Sequence, residues 1–181
     1  MKGIVFTEFA SMIADKFGDD MMDDLIDETD PESGGAYTAV GRYSHKELVN
    51  MVVLLSEKTG TPVPDLIKVF GNHLAVVFSQ KFPDFFTEVD NILDFLKKID
   101  NHIHMEVRKL YPDAELPVFD YDDSNADEFK LTYRSERGLG DLAMGLIEGV
   151  SNYYQQPFDI KRSDSQNGDL HITEFILTKA A

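Results

Sequence analysis

The hydrophobic period of this chain changes once, at Tyr111-Pro112-Asp113. Before that point apolar residues recur three and four apart, the spacing of one helix face; beyond it they alternate, the spacing of a half-buried strand. Val5, Phe6, Phe9, Met12, Ile13 and Phe17 predict a first helix that stops at Gly18, and a short second one covers Asp19 to Glu28. Asp30-Pro31-Glu32-Ser33-Gly34-Gly35 then reads as a loop, which continues to about Tyr43. Ser44 followed by Glu47 has the form of a capping box and opens a helix that ends near Thr59-Gly60. After Pro62 and Pro64 another apolar helix runs to about Gln80, and Pro83 closes it or opens the next. The longest stripe, Val89, Ile92, Leu93, Leu96, Ile99, Ile103, Val107 and Leu110, predicts a single helix from about Phe85 to Leu110.

In the alternating part, Pro117 to Tyr121 and Phe129 to Ser135 read as two strands. A helix from Leu139 to about Tyr154 separates them from a second pair, Phe158 to Arg162 and Leu170 to Leu177, joined by a turn at Asn167-Gly168. The expected fold is therefore α+β: N-terminal helices followed by an antiparallel sheet of about four strands interrupted by one helix. No internal repeat or low-complexity segment is present.

Composition narrows the function. With 181 residues a single core can bury roughly 70% of the surface that the unfolded chain exposes. The chain has no Cys, which excludes thiolate-bound zinc, thiol catalysis and thiolate-ligated haem. Lys and Arg number 17 against 33 Asp and Glu, a net charge of −16, and so partners held by phosphate contacts are disfavoured. No apolar run reaches the about 18 residues of a membrane span. Glu8, Asp15, Asp19 and Asp20 interrupt the N-terminal segment, leaving no secretory signal core. A cytoplasmic protein that binds neither nucleic acid nor membrane is expected.

Two constellations could carry chemistry. Tyr133, Ser135 and Arg137 occupy i, i+2 and i+4, so an extended strand would present two hydroxyls and a guanidinium on one face, a donor set suited to carboxylates or a phosphate. A solvent-exposed strand could carry the same triplet with no ligand. His102 and His104 lie on the long helix. Residues two apart on a helix point about 200° away from each other, so the pair cannot share one metal ion. One imidazole beside an apolar cavity is what axial ligation of haem iron needs, and spacing alone does not say which histidine that would be. Gly138 and Gly140 do not make a dinucleotide fingerprint, and the glycines at 145 and 149 suit close helix packing or the approach of a flat ligand. His45 and His171 have no functional argument; His73 reads as outward or structural. The acidic run from Asp19 to Asp30 is a solvated face.

Taken together, Met1-Lys2-Gly3, His104 seven residues before Tyr111-Pro112, Tyr133-x-Ser135-x-Arg137 and Gly145-Leu146-Ile147-Glu148-Gly149 resemble the bacterial H-NOX proteins, the haem nitric oxide/oxygen-binding family related to the sensor domain of soluble guanylate cyclase. The resemblance spans the whole chain. It implies one domain, with a distal helical part over 1–64, a proximal part over 65–181 that carries the His-bearing helix and the sheet, and haem b buried between them. It implies His104 as proximal iron ligand, with Tyr133, Ser135 and Arg137 on the haem propionates. Pro117 would pack against the porphyrin, and Val5, Phe9, Leu74, Phe78, Leu142 and Leu146 would line the distal cavity, where ordinary core packing is the alternative for each. Oxygen-binding members carry a Tyr at the position of Leu142, with polar residues near those of Phe9 and Leu74. The apolar identities here imply a sensor of NO and CO that excludes oxygen and is not an enzyme. Signalling would follow from weakening of the His104 bond, toward a histidine kinase or a diguanylate cyclase. An oxygen-binding haem protein and a cofactor-free acidic interaction module are the alternatives.

Overall fold

The computed structural model describes residues 1–180. Four helices come first: α1 (Gly3–Phe17), α2 (Asp19–Thr29), α3 (His45–Thr59) and α4 (Val63–Lys81). α1 ends where Gly18 takes a φ of 91°, a value that L side chains avoid. The loop between α2 and α3 folds back on the chain start, as the Met1 ammonium donates to the Tyr43 carbonyl (2.8 Å) and the Gly3 amide to that of Gly41 (2.8 Å). Ser44 caps α3, accepting from the Lys46 amide at 3.3 Å. The reciprocal half of the expected capping box does not form. Glu47 is instead buried, where it accepts from the Ser33 hydroxyl (2.6 Å) and the Tyr37 hydroxyl (2.9 Å) and so ties the 30–43 loop to α3.

The single helix expected from Phe85 to Leu110 is four pieces: α5 (Pro83–Thr87), α6 (Ile92–Lys98), a π turn (Ile99–Ile103) and α7 (His104–Leu110). Asn91 makes the break, since its extended backbone and a side chain that accepts from the Asp94 amide at 2.9 Å begin a new helix there. In the π turn the His104 amide bonds to the Ile99 carbonyl, five residues back instead of four.

The strands are β1 (Val118–Asp122), β2 (Phe129–Ser135), β3 (Phe158–Asn167) and β4 (Leu170–Lys179), with α8 (Gly140–Tyr153) between β2 and β3. They form one four-stranded antiparallel sheet, as the sequence predicts, and its strand order is β1-β2-β4-β3. The β3–β4 loop is Gly168-Asp169, one residue later than expected, because Asn167 pairs with Leu170 and Gly168 takes the positive φ of 60°.

The core has two clusters. One gathers Phe6, Phe9, Met12, Leu25, Met51 and Phe70 from the N-terminal helices; the other gathers Ile92, Leu96, Leu131, Ile147 and Phe175 from α6, α8 and the sheet. Phe78 of α4 and Leu146 of α8 pack against both. α4 and α8 meet backbone to backbone, since a methyl group at Gly71 would overlap the Leu142 carbonyl and one at Gly145 the Lys68 carbonyl. Close helix packing is thus the use of these glycines.

Candidate functional site

His104 is the first residue of α7, and its side chain is only 12% exposed. Its ring lies 5.8 Å from that of Phe119 on β1, which lies 5.5 Å from that of Tyr133 on β2. Nδ1 is 3.2 Å from Asp100 Oδ1. Burial holds the imidazole below its usual pKa, against the hydrogen bond and charge of Asp100 and the nearby Pro117 carbonyl, which raise it. The ring is therefore neutral at pH 7. Because a carboxylate only accepts, the proton of the neutral ring sits on Nδ1 and Nε2 keeps a lone pair.

His102 has different surroundings. Its side chain is 39% exposed, its ring meets Phe85 of α5 edge-on at 5.9 Å, and Nε2 lies 3.1 Å from Glu88 Oε2. Of the two histidines that spacing left open, only His104 faces the sheet and Pro117.

Tyr133 and Ser135 are on β2, opposite Phe119 and Thr173 and opposite His171 respectively. Arg137 lies beyond the strand end, so the three do not share an extended face as the sequence suggests. A turn assembles them: the Arg137 amide donates to Ser135 Oγ (3.1 Å) and the Leu139 amide to the Tyr133 hydroxyl (3.3 Å). Burial pushes the Tyr133 hydroxyl above its ordinary pKa, so it stays protonated. The Arg137 guanidinium donates to the Glu115 carbonyl (2.7 Å) and to Glu115 Oε2 (2.6 Å), and the same carboxylate pairs with Arg42. Arg42, Glu115 and Arg137, with Met1, Tyr43, Ser44 and His45, line a cleft of ≈ 370 Å³.

The six expected cavity residues come from three helices. Phe9 of α1 and Leu74 of α4 are fully buried in the first cluster; Val5, Phe78, Leu142 and Leu146 are half-buried against it. His73 is not outward: its side chain is 21% exposed, beside Phe70 and 3.8 Å from Glu8 Oε2, and Lys81 donates to that carboxylate at 2.5 Å. Sequence reasoning missed Asp100, Glu115 and Phe119. Asp100 could have been found from its position four residues before His104 on one helix; the other two reach the site only through the tertiary fold.

A model of haem-NO-binding proteins matches residues 2–162. The Fe(II) unliganded H-NOX protein from K. algicida is 32% identical with a TM-score of 0.92, covering 100% of this chain and 97% of that one. The H-NOX from Shewanella woodyi, solved in the Fe(II)CO state, is 38% identical with a TM-score of 0.84 over 99% of this chain and 95% of that one. The H-NOX protein from S. oneidensis in the Fe(II)NO state is 25% identical with a TM-score of 0.88, covering 99% and 100%. No curated protein sequence matches the chain.

A helical lobe on a four-stranded antiparallel sheet, together with the family match, places the chain in the class of haem-binding gas-sensor domains. The chain belongs to the haem-NO-binding family, the H-NOX proteins, which bind haem. The residues present suit that group: a neutral buried imidazole with a free Nε2, a protonated tyrosine, a serine and an arginine as anion donors, and apolar helix faces. Among the described residues no helix is long and apolar enough to cross a membrane.

Proposed function

We propose that this chain is a ferrous haem sensor of NO that also takes CO, discriminates against oxygen and reports to a separate protein. Haem supplies the iron at which these gases bind. His104 would hold the iron through Nε2, and Tyr133, Ser135 and Arg137 would hold the propionates, with Arg137 exchanging Glu115 for a propionate carboxylate. Pro117, whose carbonyl faces His104, would press on the porphyrin.

The observation that carries the gas preference is the identity of the wall from α1, α4 and α8. Phe9, Leu74 and Leu142 come together there, and none can donate a hydrogen bond. Bound oxygen carries negative charge that a donor stabilises, whereas bound NO develops much less and needs none. The relatives in Fe(II)CO and Fe(II)NO states support this choice of ligands.

A loosened hold of His104 on the group would free α7 to move against Pro117, Phe119 and β1. The altered surface would be read by a histidine kinase or a diguanylate cyclase, the chain itself acting as sensor and not as catalyst. The test is the visible spectrum of reduced protein exposed in turn to air, CO and NO. Five-coordinate ferrous haem that ignores air and shifts with CO and NO is expected. A stable oxyferrous spectrum would overturn the oxygen exclusion, and protein that takes up no haem would overturn the sensor reading.

A further inference from the structure

We propose that Asp100 is a positioning residue for His104: by accepting the Nδ1 proton it fixes the ring's tautomer and orientation and strengthens the electron donation of Nε2, and so it sets how readily that imidazole is lost when NO binds. The inference rests on the reading of His104 as the iron ligand.

Three observations support it. The carboxylate oxygen is 3.2 Å from Nδ1, within hydrogen-bond reach, while the His104 side chain is 12% exposed and the Asp100 side chain 29%. The interaction is therefore partly shielded from water and worth more than a surface contact. Among the described residues Asp100 pairs with no Lys or Arg, and the neutral His104 imidazole is its hydrogen-bond partner. Its negative charge thus acts on the imidazole without being neutralised elsewhere.

The backbone supplies the third. Asp100 lies inside the π turn, where the His104 amide bonds to the Ile99 carbonyl. The bond from the His104 amide to the Asp100 carbonyl, which an unbroken α-helix would make, is replaced. The side-chain contact is then the direct link between these two residues, and it couples the ring to the local winding of the helix. A carboxylate on the second nitrogen of a metal-bound imidazole makes the ring a better donor, and its removal commonly weakens metal binding on the order of 10- to 100-fold.

The competing orienting group is the Pro117 carbonyl, which also faces the ring. If Pro117 alone oriented His104, Asp100 would be a solvated helix side chain and its replacement would leave the iron–imidazole bond unchanged.

The experiment compares haem-loaded wild type, Asp100→Asn and Asp100→Leu. The readouts are the iron–histidine stretching band of the ferrous protein by resonance Raman and the rate at which the six-coordinate NO complex becomes five-coordinate. The band is expected to fall in frequency from wild type to Asn to Leu, and the conversion to accelerate on the order of 10-fold in the Leu variant. The near-isosteric Asn variant decides the matter if Leu does not fold. An unchanged band and rate in Asp100→Asn, with the band abolished in His104→Gly, would overturn this inference and leave the proposed function standing. A band that persists in His104→Gly would overturn both.

Discussion

At the scale of single residues, the proposed chemistry rests on a buried neutral imidazole and a leucine without a donor. Replacing His104 with Gly should abolish stable haem binding and restore it when imidazole is added, as read by the Soret band. Leu142→Tyr would place a hydroxyl in the apolar wall. A hydrogen bond to a charged acceptor contributes about 1.5–3 kcal/mol, so the variant should gain roughly 10- to 100-fold in oxygen affinity and show an oxyferrous spectrum in air. Burial also gives His104 a pH signature. Its pKa in the folded chain is lowered, as is that of His45, so between the folded and unfolded values the unfolded chain binds more protons. The stability they contribute is present above the unfolded value of about 6.5 and is lost as pH falls through the lower folded values. Denaturant unfolding of haem-free protein should show stability falling below pH 6.5, with a smaller fall in His104→Ala.

At the scale of elements, the helix–loop–helix start, the four strands and the inserted helix were legible, because each has an apolar period bounded by Gly, Pro or Asn. What was not legible depended on competition between local and tertiary partners. Glu47 has the spacing of a capping residue but is drawn into the core by Ser33 and Tyr37, neither of which the local pattern can place. The stripe from Phe85 to Leu110 reads as continuous because a π turn adds one residue without interrupting the apolar face, and the capping strength of Asn91 is visible only beside the actual break. The proposal of His104 over His102 rests on that same winding together with Glu88, Phe85 and Phe119. The Tyr133, Ser135 and Arg137 set proposed for the propionates stands out in the sequence as one strand face, whereas a turn and not a strand brings Arg137 to it. Gly145 gives the sharpest test at this scale. Gly145→Ala forces a methyl group onto the Lys68 carbonyl and should lower stability by about 1–3 kcal/mol in denaturant unfolding.

At the scale of the whole molecule, the net charge of −16 works against compaction. Raising sodium chloride from low ionic strength to about 0.15 M, where the screening length falls to about 8 Å, should raise the melting temperature.

The glycine seam has one more consequence. α4 belongs to the N-terminal cluster, while α8 is strung between β2 and β3, so Gly71 and Gly145 pin the two halves of the core at a single line. Away from that line the halves are fastened by surface clasps, Lys2 to Asp113 and Arg42 to Glu115 to Arg137. Backbone packed on backbone leaves little slack, whereas ion pairs whose carboxylates stand open to water exchange partners more cheaply. The two halves are thus joined by two opposite devices, a seam made of residues with no side chain and clasps made of residues with the longest ones.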